Sequence, residues 1–263
     1  MNRSIVAVGA VLLVAMVGLM LFTQTSQVAD KAVEIRDKSI ASSDKVSSYS
    51  YSIVVKAVSK GTLDGKQVEV NTTIEGNGTI DLRKRFMYTP VSMNVVGHSG
   101  EEPIETKSYM EMYILSDTLY SNAGQMWVKQ KLKEDAWSGT QLSQQNDVIR
   151  NASVKLVGEE EVNGKKAYVI ELKPDLNALM SYAVEIAQST PSLEASMNKE
   201  TVEYYKITEW ISAESFLPLK TVNEFTVSSE DIRTTMRVVS EYYDYGKQVN
   251  AELPDEVLDA KEL

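Results

Sequence analysis

The sequence predicts an α+β domain built on a mostly antiparallel sheet, and three observations predict it. Period-two alternation of apolar and polar residues runs through most of the chain from Tyr49 to Tyr245. Helical spacing is confined to three stretches, 28–46, 134–149 and 175–189. Two extended runs between Gly158 and Leu172 are joined by Asn163-Gly164, the dipeptide that a tight hairpin turn requires. No internal repeat or low-complexity tract interrupts this pattern.

Bulk composition narrows the function. The chain has 263 residues, 43% hydrophobic and 24% charged, an ordinary globular balance. Its formal net charge of −10 argues against a nucleic-acid partner, which needs a basic face. Cysteine is absent, so disulfides, thiolate chemistry and thiol-ligated metals are excluded. A single histidine, His98, cannot build a triad or a multi-histidine metal site. The sequence has no Gly-rich phosphate loop, nucleophile elbow or metal-ligand spacing. The 37 carboxylates leave a two-acid site open by count alone, but Glu159-Glu160-Glu161 reads as a solvated strand edge. The expectation is a protein that is not an enzyme and carries no cofactor, no metal and no catalytic residue.

The N-terminus predicts export. Ile5 to Phe22 is an uncharged apolar run that spans about 27 Å as a helix, close to a bilayer's hydrocarbon core. Arg3 precedes it, which places the N-terminus in the cytoplasm and the bulk of the chain outside. A single-pass transmembrane helix is preferred over a cleaved signal, whose apolar core is usually about 7–15 residues. If residues 1–25 were cleaved instead, the product would be secreted. The expected organisation is an anchor or signal segment at 1–27, an amphipathic helix or linker at 28–48, and a sheet domain at 49–263. The membrane, through residues 5–22, is the first expected partner.

From Tyr49 the elements follow one another as strands. Tyr49, Tyr51, Ile53 and Val55 alternate with more polar positions. In 67–82, Val68, Val70, Ile74, Ile80 and Leu82 share one face and Glu69, Asn71, Thr73, Glu75 and Asn77 the other, a half-buried strand with one wet face. Gly76 and Gly78 on the apolar face mark expected bends or bulges. The next strand, Phe86 to Val96, carries Met87, Val91, Met93 and Val95 in phase, and residues 97–104 read as a loop holding His98. Tyr109 to Leu115 follows, then a short hairpin with Tyr120 and Trp127. The helical inserts at 134–149 and 175–189 come next, and strands at 201–213, 216–228 and 232–243 finish the domain. Asn71, Asn77 and Asn151 begin N-x-S/T sequons, and the first two fall on the wet face, where a glycan could stand.

Several phrases in this order carry a family resemblance. They are the Tyr120/Trp127 hairpin, Glu161-Val-Asn-Gly-Lys165, Trp210, and Phe216-Leu-Pro-Leu-Lys220, spread over about residues 49–250. Together they resemble the LolA/LppX-like outer-membrane lipoprotein carrier superfamily. The resemblance implies a strongly curved half-barrel sheet closed by helices over an apolar hollow, holding a lipid or an acylated protein as carrier or sensor. Candidate walls of that hollow are Val68, Val70, Met87, Met93, Met110, Met112, Leu179 and Met180, where methionine suits ligands of varied shape. The chain departs from the superfamily in lacking the lipid-modified cysteine. Its apparent anchor suits a tethered receptor better than a soluble ferry, and anchoring with sequons resembles an archaeal surface protein. The alternative is a glycosylated cell-envelope structural or adhesion module with a filled core and no ligand. Nothing in the residues assigns an oligomeric state.

Overall fold

The computed structural model describes residues 31–63, 65–122, 126–132, 152–174, 201–229 and 231–262. Among these, twelve strands form one sheet. They are β1 (Ser48–Leu63), β2 (Lys66–Asp81), β3 (Phe86–Ser99), β4 (Glu102–Leu115), β5 (Thr118–Asn122), β6 (Trp127–Lys131), β7 (Ser153–Val162), β8 (Lys165–Lys173), β9 (Thr201–Ser212), β10 (Pro218–Ser228), β11 (Ile232–Tyr243) and β12 (Lys261–Glu262). Their spatial order is β12-β6-β5-β4-β3-β2-β1-β11-β10-β9-β8-β7. Every pairing is antiparallel except the short parallel contact of β12 with β6.

Turn chemistry explains the hairpins. Asn163 and Gly164 both take positive φ, 51° and 76°, which matches the twist of the strands they join. Between β2 and β3, the Asp81 carboxylate accepts the backbone N–H groups of Arg83 and Lys84 at 3.0 Å each, fixing the turn from its first residue. Pro218 opens β10 after a loop in which Phe216 has φ 57°.

The period-two pattern sorts the residues onto two faces. Ile53, Val55 and Ala57 of β1 lie in register with Ile74 and its neighbours on β2 and with Met236 and Val238 on β11. This face carries the main core, which continues through Phe225, Tyr205, Ile207, Ile211, Ile170 and Leu172. The opposite face is polar. An ion-pair ladder crosses it from Glu171 on β8 to Lys206 on β9 (3.6 Å), Glu224 on β10 (3.3 Å from Lys206) and Arg237 on β11 (3.4 Å from Glu224). Helix α1 (Lys31–Ser43) packs on β7 and β8, with Ile35 joining the core. Its Lys31 Nζ pairs with Glu159 at 3.2 Å, and Lys31 and Lys38 lie over the Tyr168 and Phe216 rings. Near the other end, α2 (Asp255–Leu258) and the segment before it cover part of the polar face, where Val249 and Val257 pack with Phe86 and Tyr113.

Three expectations are corrected. The sheet is open, not curled into a half-barrel closed by helices: β7 and β12 stand at opposite ends of the order and do not pair. The reason lies in the edges. Exposed Glu159, Glu160 and Glu161 line β7, and β12 has two residues, so neither edge offers a long apolar ladder for closure. The expected transmembrane helix, single-pass topology and membrane partner are likewise unsupported. Among the described residues no helix is long and apolar enough to cross a membrane, and residues 5–22 lie outside them. The third correction concerns residues 97–104. β3 runs on to Ser99 and β4 starts at Glu102, so Gly100, with φ 61°, and Glu101 make a tight hairpin tip rather than a loop, while Gly97 lies within β3 and His98 is paired with Pro103. The helical expectations for 134–149 and 175–189 fall outside the described residues.

The glycines of β2 and β3 provide space for close contacts. A Cβ on Gly78 would lie 2.6 Å from the Tyr51 ring and hydroxyl, so this glycine lets Tyr51 lie across β2 to reach Thr89 Oγ1 at 2.5 Å. At Gly97 the neighbour is backbone: a Cβ would lie 2.1 Å from the Glu69 carbonyl oxygen. Gly97→Ala must therefore push β2 and β3 apart and should cost about 2 kcal/mol. A urea midpoint unchanged from the native protein would show that the strands absorb the methyl group without strain.

Candidate functional site

The apolar face is unevenly covered, and that unevenness defines the candidate site. Towards α1 it is buried: Ile170, Leu172, Ile207 and Ile211 are fully enclosed. On β3 and β4 it is half exposed. Met87, Val91 and Met93 project in register with Ile114, Met110 and Ser108 of β4; Ser108 is exposed and the others are partly covered, beside buried Met112 and Val95. An open sheet therefore presents a methionine-rich strip continuous with its own core.

The predicted wall residues divide accordingly. Val68 and Val70 are buried with Val95 in a small cluster that Met93 and Ile104 join. Met87, Met93, Met110 and Met112 share the apolar face with them, although Met112 is buried. Leu179 and Met180 lie outside the described residues. Asn71 and Asn77 are exposed on the polar face, and Asn151 lies outside the described residues. The structure thus brings six of the eight candidates onto one face.

Sequence reasoning missed a polar patch set within that face. Across β9, β10 and β11, Glu209 pairs with Thr221 and Thr221 with Ser240, while Asn223 lies one in-phase step along β10. All four are buried, at 1%, 3%, 0% and 1% exposure in that order. Tyrosines frame them. The Tyr205 hydroxyl donates to Asn223 Oδ1 at 3.4 Å, Thr221 Oγ1 and the Tyr242 hydroxyl are 3.3 Å apart, and the Tyr245 hydroxyl donates to the Pro218 carbonyl at 2.7 Å. Burial pushes Tyr242 up to about 12, with the Thr221 and Ser240 hydroxyls partly offsetting it. Both Glu209 carboxyl oxygens are buried without a hydrogen-bond partner among the described residues. Burial alone pushes its carboxyl up to about 8, so at neutral pH it is mostly the neutral acid. The available signal was its phase: Glu209 occupies the same face of β9 as Tyr205, Ile207 and Ile211.

Two further features lie apart from that patch. On α1, Arg36 is fully buried. Its Nε and Nη2 donate to Asp37 Oδ1 at 3.1 and 2.9 Å, while Nη1 and the Ser39 hydroxyl lack partners. On the polar face, a concavity of about 360 Å³ opens between Phe86, Tyr88, Tyr113, Lys247 and Asn250. Tyr88 and Tyr113 stack there at 4.5 Å, and the Tyr88 hydroxyl donates to Glu111 at 2.8 Å. Among the described residues no group of three or more acidic or histidine side chains could hold a metal ion.

Residues 31–262 match a family model described as a family of unknown function, DUF6612. The chain belongs to that family. No curated protein matches it. Its structure is similar, at low identity, to members of the LolA/LppX-like superfamily. The lipoprotein LppX of Mycobacterium tuberculosis is 11% identical, with 83% of this chain and 97% of that one covered and a TM-score of 0.43. LprF from Mycobacterium bovis is 14% identical over 84% and 94%, also with a TM-score of 0.43. A LolA superfamily protein from Nitrosomonas europaea is 12% identical over 87% and 97%, with a TM-score of 0.24.

Glu209 has a measurable thermodynamic signature. Its carboxyl is raised from the ordinary 4.5 to about 8 in the folded chain, so folding takes up a proton between those values. The stability linked to the neutral acid is present in full below pH 4.5 and is lost as pH rises to about 8. Tyr242 and Tyr245, whose hydroxyls feel the Glu209 charge, both have raised pKa values and stay protonated across that window. Urea midpoints followed from pH 5 to 9 should fall for the native protein and fall less for Glu209→Gln. Parallel curves for the two proteins would mean that Glu209 does not hold its proton in the fold.

Proposed function

We propose that this protein binds an apolar molecule, a lipid or an acylated protein, against the apolar face of its open sheet, and acts as a carrier or sensor of it. The observation that carries the reading is the half-exposed strip of Met87, Val91 and Met93, which packs against the buried core, with Met110 in register beside Val91. An apolar strip of this kind on an open sheet favours a binding partner over bare solvent. Methionine's unbranched, polarisable side chain adapts to acyl chains of differing length and saturation. Each buried methylene contributes about 0.8 kcal/mol, so a long acyl chain can offset its ordering and association costs without catalysis. The charged ladder on the opposite face keeps that side in water, so ligand and solvent are sorted to different faces.

The test uses the whole chain. Native mass spectrometry of the purified protein should show a copurifying mass of lipid size, and a fluorescent long-chain acyl probe should bind saturably. Placing charges on the strip with Met93→Arg and Met110→Arg together should weaken the probe at least about tenfold, since each guanidinium would face the acyl chain. A lipid-free mass with no saturable probe binding would sink the proposal and favour a structural module.

A further inference from the structure

The concavity on the polar face is a second site, separate from the apolar strip and independent of it. We propose that it binds a neutral sugar ring, stacked on the free face of Tyr88 and hydrogen-bonded by the hydroxyl and amide side chains around it.

Its shape follows from register. Ser50, Thr79, Tyr88 and Tyr113 are direct cross-strand neighbours, so they form one row across β1, β2, β3 and β4 on the polar face. Two small hydroxyl side chains beside two large rings leave a step, and that step is the floor of the concavity. Adjacent strands lie about 4.8 Å apart, so the floor from Ser50 to Tyr88 is roughly 10 Å wide. The far wall is the segment after β11, and it is fastened at several points. The Gly246 N–H donates to the Ser48 carbonyl at 2.8 Å, the Ser48 hydroxyl to the Lys247 carbonyl at 2.7 Å, and Lys84 Nζ to the Val249 carbonyl at 2.9 Å. The enclosed volume of about 360 Å³ is that of a small-molecule site.

The side chains identify the chemistry. One face of the Tyr88 ring stacks on Tyr113 at 4.5 Å, and Thr79 lies on the opposite side of Tyr88 in the row, so the other face is turned to the step. Glu111 accepts the Tyr88 hydroxyl at 2.8 Å, which holds the ring in that attitude. The negative face of an aromatic ring receives polarised C–H groups, and one face of a pyranose presents several. The Ser50 and Thr79 hydroxyls, 3.3 Å apart, can each donate and accept, and Gln248, Asn250 and Glu252 on the wall extend that set around a ring bearing hydroxyls.

Other ligand classes fit less well. Lys247 Nζ is held by Asp244 at 2.7 Å and Lys84 by the Val249 carbonyl, so both cations near the wall are already engaged and a phosphate gains little. An acyl chain would cover the floor hydroxyls without replacing the water on them. A metal ion is disfavoured because among the described residues no group of three acidic or histidine side chains converges.

The experiment is saturation-transfer NMR on the full chain with methyl β-glucoside, methyl β-galactoside, methyl α-mannoside and N-acetylglucosamine. Sorbitol serves as the open-chain control and p-cresol as the flat aromatic one. At least one pyranoside should show saturable transfer in the millimolar range, above both controls and strongest at the C–H protons of one ring face. Tyr88→Leu removes the platform, and Thr79→Phe fills the step with a residue that strands favour while leaving Tyr88 in place. Each should weaken the sugar at least about tenfold, with the urea midpoint of Thr79→Phe close to native. Maltotriose and chitotriose, set beside their monosaccharides, separate the two sources of such a ring. A gain of about tenfold for a trisaccharide marks the end of a glycan and equal binding marks a free sugar, and either supports the site. No saturable transfer from any pyranoside, or transfer undiminished in folded Thr79→Phe, would overturn it. Binding of p-cresol above every sugar would overturn it in favour of an aromatic ligand. The acyl-binding reading concerns the opposite face and stands or falls separately.

Discussion

The pairing of β1 with β11 is the constraint on which the rest of the sheet depends. Residues 50–61 lie against 232–243 in unbroken register, and on its other edge β1 runs along the whole of β2. Most other strand pairs are sequence neighbours joined by a turn, so they form locally. This one closes a loop of most of the chain, at an entropy that grows only with the logarithm of its length. Because side chains alternate with a period of two, the β1 register decides which face Ile53, Val55 and Ala57 occupy, and the two meanders inherit that choice outward from them. A slip of one residue would turn the methionine strip and Glu209 away from each other. The apolar face exists as one surface because two local meanders share a single central strand.

Much of this was legible in the sequence, and where it was not, the missing information has a physical description. Asn163-Gly164 announced its turn because only certain residues accept two successive positive φ values. The alternation in 67–82 announced its faces because burial follows the pleat, and Asn71 and Asn77 stand exposed as that pattern required. Residues 97–104 misled because Gly97 reads as a loop former. In the fold it admits the Glu69 carbonyl, a contact with a residue 28 positions earlier that local pattern does not encode. Closure of the sheet was not legible either. It depends on whether β7 and the strand at the far edge pair, and alternation within a strand says nothing about its neighbours. Glu209 was legible in principle, since its phase matches Ile207 and Ile211, but its meaning appears only when Thr221 and Ser240 are placed beside it.

The two faces of the sheet divide the chemistry between them. On the polar face, Lys206 bridges Glu171 and Glu224, and Glu224 in turn meets Arg237. Such exposed pairs contribute little stability each, but together they make that face a poor surface for apolar contact. The acidic β7 edge does the same for strand addition, while Lys31 of α1 neutralises Glu159 at one point along it. With the ladder and the β7 edge committed to water, the half-exposed strip on β3 and β4 is the apolar surface that continues the core.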